Sequence, residues 1–182
     1  VDLLECWWNA EGRGVQIENP GTEPYSTDQE RRWLETHGAA WDPDLVLLFA
    51  YENDLFWNGQ TRYAGLPKPR FEADGSRAPG ELAAPAPRPW HQRTALGNLL
   101  LKGPDEGVEL FQPGDVALPK EMGALLTPLP DFMQDPIART RGAMLALART
   151  AQALEAQVVV VPIPSHSAID PDYREQFQTR MD

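Results

Sequence analysis

The stretch Val15–Leu55, VQIENPGTEPYSTDQERRWLETHGAAWDPDLVLLFAYENDL, decides how this chain is read. Val15-Gln16-Ile17-Glu18 alternates apolar and polar side chains, as a half-buried strand does. A turn with Pro20, Gly21 and Pro24 follows. Ser26 stands three residues before Gln29, and Thr27 three before Glu30, so either pair can close a capping box at a helix start. Asp28 and Glu30 fall in the first turn, where the helix dipole favours negative charge. Trp33, Leu34, His37, Ala40 and Trp41 then mark an apolar stripe along a helix of about three to four turns. His37 is read as a core histidine on that stripe, and Asp42-Pro43 ends the helix. Leu45–Ala50 (LVLLFA) is a continuous apolar run of strand length, expected for a parallel strand covered on both faces. Strand, helix and strand make a βαβ unit, whose binding edge lies where strands run out into loops. Those loops, Asn19–Tyr25 and Tyr51–Asp54, carry small or amide groups able to hold an anion.

Working outward, Val1–Ala10 reads as the tail of an amphipathic helix with Leu3, Leu4, Trp7 and Trp8 inward, stopped by Gly12 and Gly14. From Phe56 to Pro130 the periodicity dissolves. Eleven of the eighteen prolines fall there, so long regular elements are not expected, apart from a short helix near Trp90–Leu101. We read residues 56–130 as an insertion that covers the sheet's carboxyl edge or meets a partner. Asp135-Pro136 then gives an N-cap followed by proline at the first helical position. Ile137, Met144, Leu147, Ala148, Ala151 and Leu154 line one face of a helix of roughly 20 residues. Gln157–Pro162 (QVVVVP) is a further buried strand, and Asp172–Asp182 starts another helix after a proline-rich loop.

With 182 residues the chain has room for one domain, residues 1–182, with a sizeable core. Its formal net charge of −11 argues against unspecific binding to nucleic acid or anionic lipid. A single cysteine, Cys6, forms no internal disulfide and excludes a thiolate zinc cluster. No run of 18 apolar residues suits a membrane span. Asp42 and Asp44 lack a nearby third ligand and are read as capping and solvation. No cofactor is expected.

The runs Asn19–Glu30 (NPGTEPYSTDQE), Pro43–Val46 and Tyr51–Leu55 together resemble the SGNH (GDSL-type) hydrolases. The resemblance covers Gly14–Leu55 well and Asp135–Pro171 more weakly. It implies a three-layer, flavodoxin-like α/β fold with a parallel sheet, and a serine esterase or acyl hydrolase acting on a small acyl ester or O-acylated substrate. It further implies that the Gly21 backbone amide and the Asn53 side chain complete an oxyanion hole, with Asp54 as an orienting neighbour. Relatives of this kind are often exported, periplasmic or membrane-tethered. The family's Gly-Asp-Ser nucleophile segment does not occur in this chain: Asp74-Gly75-Ser76 has the wrong order, and Gly114-Asp115 is followed by valine. Its Asp-x-x-His base segment is missing as well, since Leu34, Arg88 and Ile163 stand three residues before His37, His91 and His166. Tyr51 and Glu23-Pro24 also depart from the family pattern. Ser165, His166 and Asp170, after the last strand, are the local alternative for a triad, read mainly as a solvated loop with Asp170 capping a helix.

Topology adds an expectation. A flavodoxin-like sheet runs 2-1-3-4-5, so its first strand lies between the second and third. With Val15–Glu18 second and Leu45–Ala50 third, the strand between them is missing from the sequence. The sheet is therefore expected to be incomplete here. The missing strand would come from a longer polypeptide, of which this chain is the middle, or from a partner. The alternative to a hydrolase is a non-catalytic SGNH-fold accessory or structural subunit of a larger assembly.

Overall fold

The computed structural model describes residues 2–22, 25–63, 66–79, 109–115, 117–164 and 169–172. The sequence expectations at Trp90–Leu101, Ser165, His166 and 173–182 lie outside the described residues. The chain is mixed α/β. Helix α1 (Asp2–Ala10) precedes α2 (Thr27–Trp41), β1 (Leu45–Ala50), α3 (Glu52–Trp57), β2 (Arg62–Tyr63) and β3 (Leu66–Pro67). Then come β4 (Leu110–Phe111), β5 (Leu118–Pro119), 3-10 turns at Lys120–Leu125 and Asp131–Met133, helix α4 (Gln134–Ala153) and β6 (Gln157–Pro162). No helix among the described residues is long and apolar enough to cross a membrane.

The two apolar runs pair as parallel strands, in register from Leu45 opposite Gln157 to Ala50 opposite Pro162. Among the described residues this sheet has only those two strands; β2–β3 and β4–β5 are separate antiparallel pairs. On one face, Leu48 packs with Leu34 of α2 and with Leu147 and Ala151 of α4 in a single core, joined by Val46 and Val158. The opposite face carries Leu45, Leu47, Phe49 and Val159, each between 44% and 51% exposed. The expected cover on both faces is therefore present on one only, among the described residues.

Val15–Glu18 is not a strand. Its backbone is taken up by α1: the Val15 N–H donates to Asn9 Oδ1 (2.7 Å), the Asn9 amide donates to Val15 O (2.8 Å), and the Ile17 N–H donates to Glu5 Oε2 (2.8 Å). Leu3 and Trp7 of α1 are 87% and 59% exposed, so the expected inner face is open. In α2 the capping choice falls on Ser26 and Gln29, whose Oε1 accepts the Ser26 N–H at 3.3 Å. Asp42 closes that helix in the left-handed region (φ 45°), donating its N–H to Gly38 O. His37 is exposed and not in the core; Leu34 and Gly38 hold the buried stripe. Helix α4 starts at Gln134, so Pro136 takes its third position and Asp135 pairs with Arg139 at 2.8 Å instead of capping.

Candidate functional site

Among the described residues, the turn that leaves β1 and a buried polar cluster beneath α2 bring polar groups together. Asn53 and Asp54 do not form a loop after β1, as expected, but lie in the first turn of α3. Asp54 is buried, and its Oδ2 accepts the Tyr51 N–H at 3.0 Å, which fixes the turn. Burial raises its carboxyl above the ordinary range, against the Tyr51 hydrogen bond and the Lys68 charge. Asn53 is half-buried, and its carboxamide has no hydrogen-bond partner among the described residues. It stands as an unused pair of N–H donors at the carboxyl end of a parallel strand. Gly21 differs: it is exposed and its N–H donates to Asn19 Oδ1 at 3.0 Å, closing an Asx turn. Asn53 and Asp54 are brought together; Gly21 is engaged elsewhere. Asp170 accepts the Asp172 N–H at 3.0 Å, in keeping with a capping role. Among the described residues no cluster of three His, Cys, Asp or Glu could hold a metal ion.

The second place was not visible in the sequence. Lys68 enters beneath the start of α2 and donates to Ser26 Oγ (2.5 Å) and Trp57 O (2.6 Å), with Asp28 Oδ1 at 3.1 Å. The Asp28 N–H donates to Asn58 Oδ1 (3.1 Å), and the Asn58 amide donates to Thr140 Oγ1 (3.1 Å). The chain of bonds thus ties α2, α3, the segment after β3 and α4 into one unit. A serine, an amine and a carboxylate in contact invite comparison with a serine–lysine dyad. That chemistry needs a neutral amine and an accessible hydroxyl. Burial lowers the Lys68 amine from its ordinary range against the charges of Asp28 and Asp54. Three acceptors nevertheless surround Nζ, the Ser26 hydroxyl donates to Asp28 Oδ1 at 3.0 Å, and Ser26 is 2% exposed, so no incoming group can reach it. The cluster is a lock between elements, not a nucleophile.

Its charge balance is uneven. Burial pushes Asp28 up to about 6 against the pull of Lys68. Burial also pushes Glu30 up to about 8, with the Asp54 and Asp28 charges adding to it. Glu30 Oε2 is buried without a hydrogen-bond partner. A folded-state pKa raised above the ordinary 4.5 means that the folded protein binds more protons than the unfolded chain between those values. The contribution is complete below about pH 4.5 and is lost as pH rises through about 8, on the order of a few kcal/mol in total. Glu30→Gln should therefore flatten the fall in stability towards alkaline pH and leave the protein more stable than the parent there. Urea unfolding at acid, neutral and alkaline pH checks this. Equal slopes for parent and variant would refute it.

Comparison with protein-family models, with curated proteins and with solved structures finds no match to this chain.

Proposed function

We propose that this chain supplies the oxyanion side of an SGNH-type serine hydrolase that cleaves an acyl ester. In this reading the serine and histidine come from a segment or partner that also covers the open face at Leu45, Leu47 and Phe49. The observation that carries it is Asn53: a carboxamide unpaired among the described residues, on the turn that Asp54 braces, where β1 ends. Open parallel sheets bind ligands at that edge. Fixed donors aimed at a developing oxyanion cost no reorganisation when the charge appears, and losing one costs about 10²–10³ in kcat. The half-exposed apolar face supports the need for a covering layer, because purely parallel sheets are buried on both faces, and the edge of β1 left unpaired among the described residues supports the need for a further strand.

One observation favours the second reading, a non-catalytic subunit of the same fold. The Gly21 N–H is spent on Asn19, which leaves Asn53 as a lone donor.

The test uses the protein at its natural length with p-nitrophenyl acetate and a fluorophosphonate probe. Turnover and labelling are expected, with Asn53→Ala lowering kcat/KM by about 10²–10³ and leaving labelling detectable. The 182-residue chain by itself is expected to give no turnover. Steady turnover by that chain, abolished by Ser165→Ala, would overturn the assignment in favour of a local triad. Absence of both turnover and labelling at natural length would give the second reading.

A further inference from the structure

On its outer side, α2 presents Gln29, Arg32, Trp33, Thr36 and His37, a stripe at spacings of three, one, three and one, and so one continuous helix face. Tyr25 and Pro69 close it into a groove of about 240 Å³. This is smaller than the roughly 300–1,000 Å³ of sites for drug-sized ligands, so it suits one ring, not a dinucleotide. The aromatic wall is already set. His37 stacks on Trp33 at 4.8 Å with 26° between the ring planes, and Trp41 meets Trp33 edge-on at 4.6 Å.

The polar groups can be assigned one by one. His37 Nδ1 lies 3.1 Å from Trp33 O; a carbonyl only accepts, so Nδ1 carries a proton and donates it to that oxygen. Thr36 Oγ1 donates to Arg32 O at 2.9 Å, which leaves its lone pairs as acceptors. Gln29 Oε1 accepts the Ser26 N–H, which leaves its NH₂ group as donor. Arg32 gives one N–H to Glu35 and keeps others, with its charge already partnered. The Tyr25 hydroxyl does both.

Donors from Gln29 and Arg32 and an acceptor from Thr36 thus stand beside an aromatic wall, and no carboxylate lines the groove. A carboxylate, which only accepts, would leave the Thr36 acceptor unmet inside a chain of net charge −11. A cation would meet no anion. A hydroxyl both donates and accepts, and a sugar ring offers an apolar C–H face beside its hydroxyls. We infer that this groove binds a single neutral pyranose residue. The site is built from α2, Tyr25 before it and Pro69 after β3, and so stands apart from the Asn53 turn of the hydrolase reading.

The test is ligand-observed NMR and isothermal titration on the protein at natural length. The probes are the methyl pyranosides of glucose, galactose and mannose, N-acetylglucosamine, sodium phosphate, sodium acetate and a proline-rich peptide. Saturable binding of at least one pyranoside is expected, with a Kd on the order of 1–10 mM. Trp33→Ala should weaken it about tenfold or more. Because that variant could misfold, Thr36→Val serves as the surface control: it should weaken binding about threefold to tenfold with unchanged unfolding. Three outcomes overturn the inference: no saturable pyranoside binding, binding unaltered in folded Thr36→Val, or tighter binding of phosphate, acetate or the peptide.

Discussion

Replacing Lys68 with methionine should cost about 3–5 kcal/mol of folding stability, the loss expected when one partner of a buried ion pair is removed. Asp28 is 0% exposed, and its Oδ2 has no hydrogen-bond partner even in the parent protein. The ammonium bonds the other oxygen, along with Ser26 Oγ and Trp57 O. Without it, Asp28 must either stay charged with only its hydrogen bonds from Ser26 and the Gln29 backbone to hold the charge, or take up a proton. Burial has already brought its pKa to about 6, so protonation is the cheaper route and limits the loss. Trp57 O and Ser26 Oγ also lose their donor. With a total of about 5–15 kcal/mol for a domain, such a loss leaves the fold marginal. The double variant Lys68→Met/Asp28→Leu removes both charges and should recover much of the stability, since apolar replacements of buried pairs are often neutral. Urea midpoints of the parent, both single variants and the double variant complete the cycle. A Lys68→Met midpoint indistinguishable from the parent's would show that the ammonium holds nothing together.

The parallel core was legible because apolar runs of strand length carry a direct physical meaning. LVLLFA and QVVVVP have no polar face, which suits strands in a parallel pair, and they do pair. The start of α2 was legible for a similar reason: Ser26 and Gln29 stand at the spacing that a cap requires. Val15–Glu18 shows where periodicity stops informing. Alternation states which side chains share a face, but says nothing about a ladder partner, and here Asn9 and Glu5 took the backbone groups first.

The stripe on α2 misled differently. Trp33, His37 and Trp41 have core spacing, yet the neighbouring stripe of Leu34 and Gly38 is the one buried. The reason lies across the interface. A Cβ on Gly38 would come within 3.0 Å of Leu34 Cδ1 and still closer to Leu154, so α2 rests on the region of Leu154 through its smallest residue. The aromatic residues are left to stack on one another. Lys68 gave no signal at all. It sits between Pro67 and Pro69 in a stretch without period, and its partners Asp28 and Trp57 lie 40 and 11 residues away in sequence. Of the residues implied by resemblance, Asn53 and Asp54 share one turn because they are adjacent in sequence. The placement of Gly21 depended on Asn19 two residues earlier, a local competition that a family pattern does not encode.

Gly142→Ala should destabilise the protein even though it places the best helix former inside a helix. Gly142 lies within α4, where alanine would gain about 0.8–1.0 kcal/mol from propensity alone. The position is buried, with the chain at Glu72 and Ala73 packed directly on the helix backbone. An added Cβ would stand 2.8 Å from the Glu72 carbonyl carbon and closer still to its oxygen. Backbone cannot turn aside as a side chain can, so the whole segment must shift. That segment is held on both sides of the contact. Arg139 donates to Phe71 O and pairs with Glu72, Arg149 donates to Asp74 O, and Phe71 is 1% exposed against Ala143 and Ala146. Moving it by even a fraction of an ångström loosens these bonds together with the Phe71 packing. Overpacking of this kind costs about 1–3 kcal/mol and more where backbone must move, which exceeds the propensity gain. The net loss should appear as a lower urea midpoint at unchanged m-value. Ala148→Gly, at an exposed site on the same helix, isolates the propensity term and should cost only about 1 kcal/mol. A Gly142→Ala protein as stable as the parent would mean that the Glu72–Ala73 segment does not press on α4, and with it the packing of Phe71 would have to be reassigned.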